Sequence, residues 1–122
     1  MNRDELIEYC ASKPRATRDF PFDDRTLTIR VGGKIFALLD VRDESSGVNL
    51  KCEPELAQDL RESYAAIKPG YHMNKEHWIT VAFDGSLDDA FLRELVDRSY
   101  ELVADSLTRA AREQAGLPPK AR

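Results

Sequence analysis

At 122 residues, the chain is long enough for one domain with a real core and too short for two. Its 42% apolar and 33% charged residues suit a folded protein in water, and no apolar run approaches the roughly 18 residues a bilayer span requires. A net charge of −4 argues against a protein whose whole surface attracts nucleic acid.

The N-terminal MNRDELIEYC places Asp4 and Glu5 in what reads as a first helical turn, where carboxylates suit the positive end of the helix dipole. Leu6, Ile7 and Cys10 fall at helical spacing, and Pro14 ends the helix. The segment lacks the basic start and apolar core of a signal peptide, so a cytoplasmic location is expected. TRDFPFDDRT suggests a short extended piece with Phe20 and Phe22 on one side, and Pro21 between them suggests an edge strand.

TLTIRV alternates cleanly, with Leu27, Ile29 and Val31 on one face. Gly32-Gly33 then joins it to KIFALLDV, a strong hairpin signal, since primed turns need positive φ. The glycines lead into a strand and not a helix N-terminus, so a phosphate-cradling loop is the weaker reading. VNLKC alternates again. Pro54 opens a helix, with Leu56, Leu60 and Tyr64 as its apolar stripe. HWITVAF reads as the last strand. Ser86 is the expected N-cap of a long helix, roughly residues 87–112. Its buried side is traced by Leu92, Leu95, Val96, Ser99, Val103, Ser106, Leu107 and Ala110.

This order predicts an α+β fold: a two-layer sandwich with helices on one face of an antiparallel sheet and the other face open. A single domain over residues 1–114 is expected, with residues 115–122 as a flexible tail. Cys10 and Cys52 are expected as reduced, buried thiols, being far from CxxC spacing and set among apolar neighbours.

The densest chemistry lies in PGYHMNKEHWITV, residues 69–81, which holds both histidines and the only tryptophan. Strand parity sends Ile79, Val81 and His77 toward the helices, and Trp78 and Thr80 to the open face. The same parity turns Thr28, Arg30, Asn49 and Lys51 outward. An indole beside cations can stack a base and neutralise phosphate. It can equally be a surface patch packed on lysine and arginine stems. His72, Glu76, His77 and Cys52 do not follow a metal-ligand spacing, and Cys52 has apolar parity that suits no nucleophile. The carboxylates at 23–24, 53/55 and 88–89 fall in turns and first helical turns, where they cap and solvate. No catalytic residue, metal or cofactor is expected.

FPFDDRTLTIRVGGKIFALLDV, VNLKCEPELAQDLRESYAAIKPGYHMNKEHWITV and DGSLDDAFLRELVDRSYELV together resemble the MmcQ/YjbR-like family of small bacterial proteins. The most specific elements are LKC-PE, PGYH and NK-HW. The resemblance implies a CyaY-like α+β fold, akin to frataxin, and a non-enzymatic, DNA-binding role. Its matching candidate positions are Lys51, Tyr71, His72, Asn74, Lys75, His77 and Trp78, to which strand parity adds Arg30. Iron binding follows from the frataxin likeness only by analogy of fold; Asp4, Glu5 and Glu8 are explained as a solvated helix start. The expectation is DNA binding through the open face and adjoining loop, by a monomer or weak dimer with no membrane association. A small-molecule or protein partner is the alternative.

Overall fold

The computed structural model describes residues 1–70 and 73–120. The chain runs α1 (Arg3–Ala11), β1 (Thr17–Asp19), β2 (Thr26–Val31), β3 (Lys34–Asp40), β4 (Val48–Lys51), α2 (Pro54–Ser63), β5 (Ile67–Pro69), β6 (Trp78–Val81), α3 (Asp89–Ser106) and α4 (Arg109–Ala115). The strands form one antiparallel sheet in the order β1-β2-β3-β4-β6-β5. The two-layer α+β expectation holds. α3 lies across β2, β3 and β4, α1 packs on α3, and α2 packs on β5.

Local chemistry explains most boundaries. Asn2 caps α1 in a capping box: its Oδ1 accepts from the Glu5 N–H at 2.8 Å, and the Glu5 carboxylate accepts from the Asn2 N–H at 3.1 Å. Pro54 starts α2, where its missing N–H costs nothing. Gly32 and Gly33 have φ of +59° and +82°, as the hairpin requires. The core joins inward residues of all the major elements: Leu6, Cys10, Leu27, Ile29, Leu39, Val48, Leu50, Ile79, Val81, Val96 and Val103 are all buried.

A register shift at Ile29/Arg30 makes a bulge in β3. Ala37 pairs with Ile29 and Ile35 with Arg30, so Phe36 is the extra residue. Phe36 is fully buried and meets the Tyr100 ring of α3 edge-on, at 5.2 Å.

The structure corrects several expectations. The edge strand is Thr17–Asp19, upstream of Pro21, and Phe20 and Phe22 are 47% and 70% exposed. After Asp19 the chain turns, because the Asp23 carboxylate takes the N–H groups of Arg25 and Thr26. β5 was not foreseen. Three residues are too few to set a period, and it exists by pairing with β6. The N-cap of α3 is Asp88, whose side chain accepts from Phe91 N–H at 2.8 Å. Ser86 instead bonds Asp84 in the preceding turn. The predicted long helix is two. Leu107 is extended (φ −69°, ψ 142°), and Thr108 caps a second helix, α4. Ser106 and Ala110 are accordingly exposed, while Tyr100 and Ala104 join the buried side. In the segment after α4, the Arg112 guanidinium donates to the Pro118 carbonyl at 2.9–3.0 Å.

Both cysteines are free and buried. Burial pushes the Cys10 thiol up to about 12 and raises Cys52 as well. No helix among the described residues is long and apolar enough to cross a membrane.

Candidate functional site

The register builds the open face row by row. Asp19, Thr28, Leu38, Asn49, Thr80 and Lys68 stand side by side across all six strands. One step away, Lys51 pairs directly with Trp78. Trp78 and Thr80 share a face, so Lys51 and Lys68 flank the indole position from the two neighbouring strands.

The outward row is less available than parity alone suggests. Thr28 is 0% and Asn49 6% exposed. Thr28 donates its hydroxyl to the Asp19 carboxylate. Asn49 accepts from the Thr80 hydroxyl at 2.6 Å. These polar groups satisfy one another, and their hydrogen bonds tie strands together.

Arg30 is similarly committed. Its guanidinium bonds Asp19 at 3.3 Å and the Gly33 carbonyl at 3.0 Å. Thr28 and Arg30 together hold the Asp19 carboxyl below its usual range. Arg30 is on β2 and Trp78 on β6, three strand spacings or about 14 Å apart. The sequence grouping of Arg30 with Trp78 therefore divides in two. On the β1–β3 side, Arg30 faces Asp19 and Arg25 faces Asp40. On the β4–β6–β5 side, Lys51, Lys68 and Lys75 enter no ion pair among the described residues. Lys68 was absent from the sequence reading. Its signal, an exposed lysine in a three-residue strand, becomes legible only once β5 is paired.

Trp78 is half-buried. Gly70 lies opposite it, donating its N–H to the Trp78 carbonyl at 2.9 Å. A Cβ at Gly70 would sit 2.6 Å from the Trp78 Cβ, so this close approach needs glycine. The turn before β6 is closed by His77 N–H to the Asn74 carbonyl, and by Glu76 N–H to the Asn74 side chain at 2.9 Å. Asn74 and Lys75 are exposed there. His77 is exposed too, contrary to its expected inward parity. It precedes the first paired residue of β6, so the strand's alternation does not reach it. Its backbone is structural: the carbonyl accepts from Cys52 N–H at 2.8 Å. Tyr71 and His72 lie outside the described residues.

Sequence reading also missed how Lys51 is held. The buried Ser99 of α3 accepts from the Lys51 N–H at 2.8 Å and donates to the Phe36 carbonyl at 2.5 Å. Phe36 is the bulged residue and has no ladder partner. One hydroxyl thus satisfies two irregular backbone groups and sets the end of β4 beside β6. Among the described residues, no three His, Cys, Asp or Glu side chains are grouped to hold a metal.

Comparison with known proteins gives one consistent result. The family model described as YjbR matches residues 11–102. The "Uncharacterized protein YjbR" of Escherichia coli strain K12 is 37% identical over 113 residues, covering 93% of this chain and 96% of that protein. The "Uncharacterized protein YyaQ" of Bacillus subtilis strain 168 is 39% identical, covering 84% and 98%. The crystal structure of Deinococcus radiodurans protein DR2400, with domain DUF419, superposes with a TM-score of 0.87 at 38% identity, covering 99% of this chain and 92% of that one.

Proposed function

The chain belongs to the YjbR family, and on that premise we propose that it is a non-enzymatic DNA-binding protein whose contact surface is the β4–β6–β5 end of the open sheet face and the turn before β6. The observation that carries this reading is the charge division of the face. Its β1–β3 half neutralises its own cations, whereas Lys51 and Lys68 flank the half-buried Trp78 and Lys75 stands in the turn before it, none of them in an ion pair among the described residues. Lysine is a point-charge ligand for phosphate, and an indole at a sheet surface supports a base or sugar. The buried, basic thiols of Cys10 and Cys52 favour binding over nucleophilic chemistry. Arg30 belongs to the compensated half and contributes to shape rather than to phosphate contact.

The net charge of −4 repels DNA as a whole, so binding is expected to be weak and confined to the patch. Three neutralised phosphates give a slope of log K against log salt of about −2.7 on duplex DNA. A fourfold rise in salt should therefore weaken binding about 40-fold. Fluorescence anisotropy with labelled duplex and single-stranded oligonucleotides measures this directly. Lys51→Ala and Lys68→Ala should each reduce the slope by about 0.9, while Arg30→Ala leaves it unchanged. Absence of salt-sensitive binding at low ionic strength, or equal binding by a Lys51→Ala/Lys68→Ala/Lys75→Ala variant, sinks the proposal and returns the face to a protein or small-molecule partner.

A further inference from the structure

A second site lies at the other end of the sheet, where the Lys13–Ala16 turn, the Gly32-Gly33 hairpin and α4 meet. They enclose an open cleft of about 590 Å³. We propose that this cleft binds a small oxyanion, a phosphate or a carboxylate, through the guanidinium of Arg15.

Arg15 has φ +61°, and among the described residues it is the one non-glycine residue in the left-handed region. The turn explains the backbone. The Ala16 N–H closes onto the Lys13 carbonyl at 3.0 Å, with Pro14 and Arg15 at its centre, the type II pattern in which glycine or asparagine normally fills the second central position. The Tyr100 hydroxyl fixes the turn by donating to the Pro14 carbonyl at 2.6 Å. An arginine held in this conformation is strained relative to a relaxed backbone, because its Cβ crowds the following carbonyl. The side chain must offset that cost or serve another purpose.

The arginine makes no ion pair and no hydrogen bond among the described residues. Its guanidinium lies against Gly116, close enough that a Cβ there would sit 3.1 Å from Nε and 3.3 Å from Nη2. The αL cap of α4 is thus a platform that limits the directions the guanidinium can take. The cleft beside it has small walls, Gly32, Gly33 and three alanines, and two further polar side chains, Thr17 and Gln114. Among the described residues, no carboxylate lines it. The one charged side chain in the wall among the described residues, Arg15, is a donor, which selects for an anion. The opposing influence is the negative end of α4, reduced in part because its Arg112 and Glu113 carbonyls accept from the Gly116 and Leu117 N–H groups. The Gly-Gly pair that makes no phosphate loop by itself becomes the side-chain-free wall of a cleft whose charge comes from elsewhere in the chain.

The competing role for Arg15 is a clamp on the C-terminus of α4. ¹⁵N-resolved NMR titrations of the full chain at constant ionic strength separate the two. One arm uses inorganic phosphate and the other acetate, with chloride as the reference. The site predicts saturable shifts of the Thr17, Gly32, Gly33 and Ala115 amides in at least one arm, and the arm that saturates at lower concentration identifies the ligand type. Arg15→Gln should weaken that binding about tenfold or more. Arg15→Gly should do the same and keep or raise thermal stability, because glycine accepts φ +61°. Shifts that are linear in both arms, or that persist in Arg15→Gln, overturn the proposal. So does a fall in the melting temperature of Arg15→Gly when the unsubstituted chain shows no saturable anion response, which identifies the clamp.

Discussion

Ser99 is a small side chain with a large share of the site's geometry. It stands on the apolar stripe of α3, where a hydroxyl must find partners or be expensive. Both partners are backbone groups that the sheet leaves over: the Phe36 carbonyl at the bulge and the Lys51 N–H at the end of β4. Removing the hydroxyl strands both in the interior. Ser99→Ala is expected to lose about 1–3 kcal/mol, measured by chemical denaturation. It should also change Trp78 fluorescence, since Lys51 pairs with Trp78. A variant of unchanged stability and unchanged emission shows that water or backbone relaxation replaces the hydroxyl. A polar residue in an apolar stripe is visible in the sequence. Its two partners are not, because they lie 48 and 63 residues away.

At the scale of the element, the division between α3 and α4 follows from packing and not from propensity. The residues on both sides of Leu107 suit a helix, which is why the sequence reads as one. Leu107 is buried, and its side chain lies over Gly32: a Cβ there would be 2.4 Å from Leu107 Cδ1. Turning the chain at Leu107 buries that leucine on the hairpin and gives α4 its Thr108 cap. Two hairpin substitutions separate the effects. Gly33→Ala meets nothing within 4 Å and pays only for its φ of +82°, about 1 kcal/mol. Gly32→Ala adds the collision with Leu107 and is expected to cost about 1–3 kcal/mol more. Equal losses in the two variants mean that Leu107 moves aside freely and does not hold α4. The hairpin itself was legible, because Gly-Gly between alternating runs is a local signal. β5 was not, because its reality is its pairing with β6.

For the whole molecule, acid stability is set by aspartates spread over the surface. Asp19, Asp23, Asp40, Asp84, Asp89 and Asp97 are all held below the ordinary carboxyl range. Asp19, Asp23, Asp84 and Asp89 are exposed, so each contributes little, and Asp40 is half-buried against Arg25. Asp97 is partly buried. Burial alone would raise it, and the Lys13 and Tyr9 hydrogen bonds, both 2.6 Å, outweigh that and lower it. A depressed folded-state value adds stability above the unfolded value of about 3.9, and that stability is lost as pH falls through the folded-state value. The melting temperature should fall below about pH 4, and Asp97→Asn should be less stable near neutrality with a shallower acid decline. Identical acid declines in the two proteins assign the effect to other carboxylates.

Strand alternation, the hairpin turn, the first turn of α2 and the two buried thiols were determined by the sequence alone. Each depends on neighbours within a few residues and on whether a side chain is apolar. The two-layer plan follows, since alternating strands and amphipathic helices have few other ways to bury their apolar sides. Only the tertiary structure decided which polar groups remain free. Arg30 and Lys51 look alike in sequence, yet Arg30 meets Asp19 across a strand and Lys51 meets Trp78. Lys68 joins the patch because β5 adds beyond β6, and Arg15 faces a cleft because Leu107 turns α4 back over the hairpin. Charge pairing and enclosure are set by contacts between distant segments, and those contacts are made by burying the core, which no local pattern encodes.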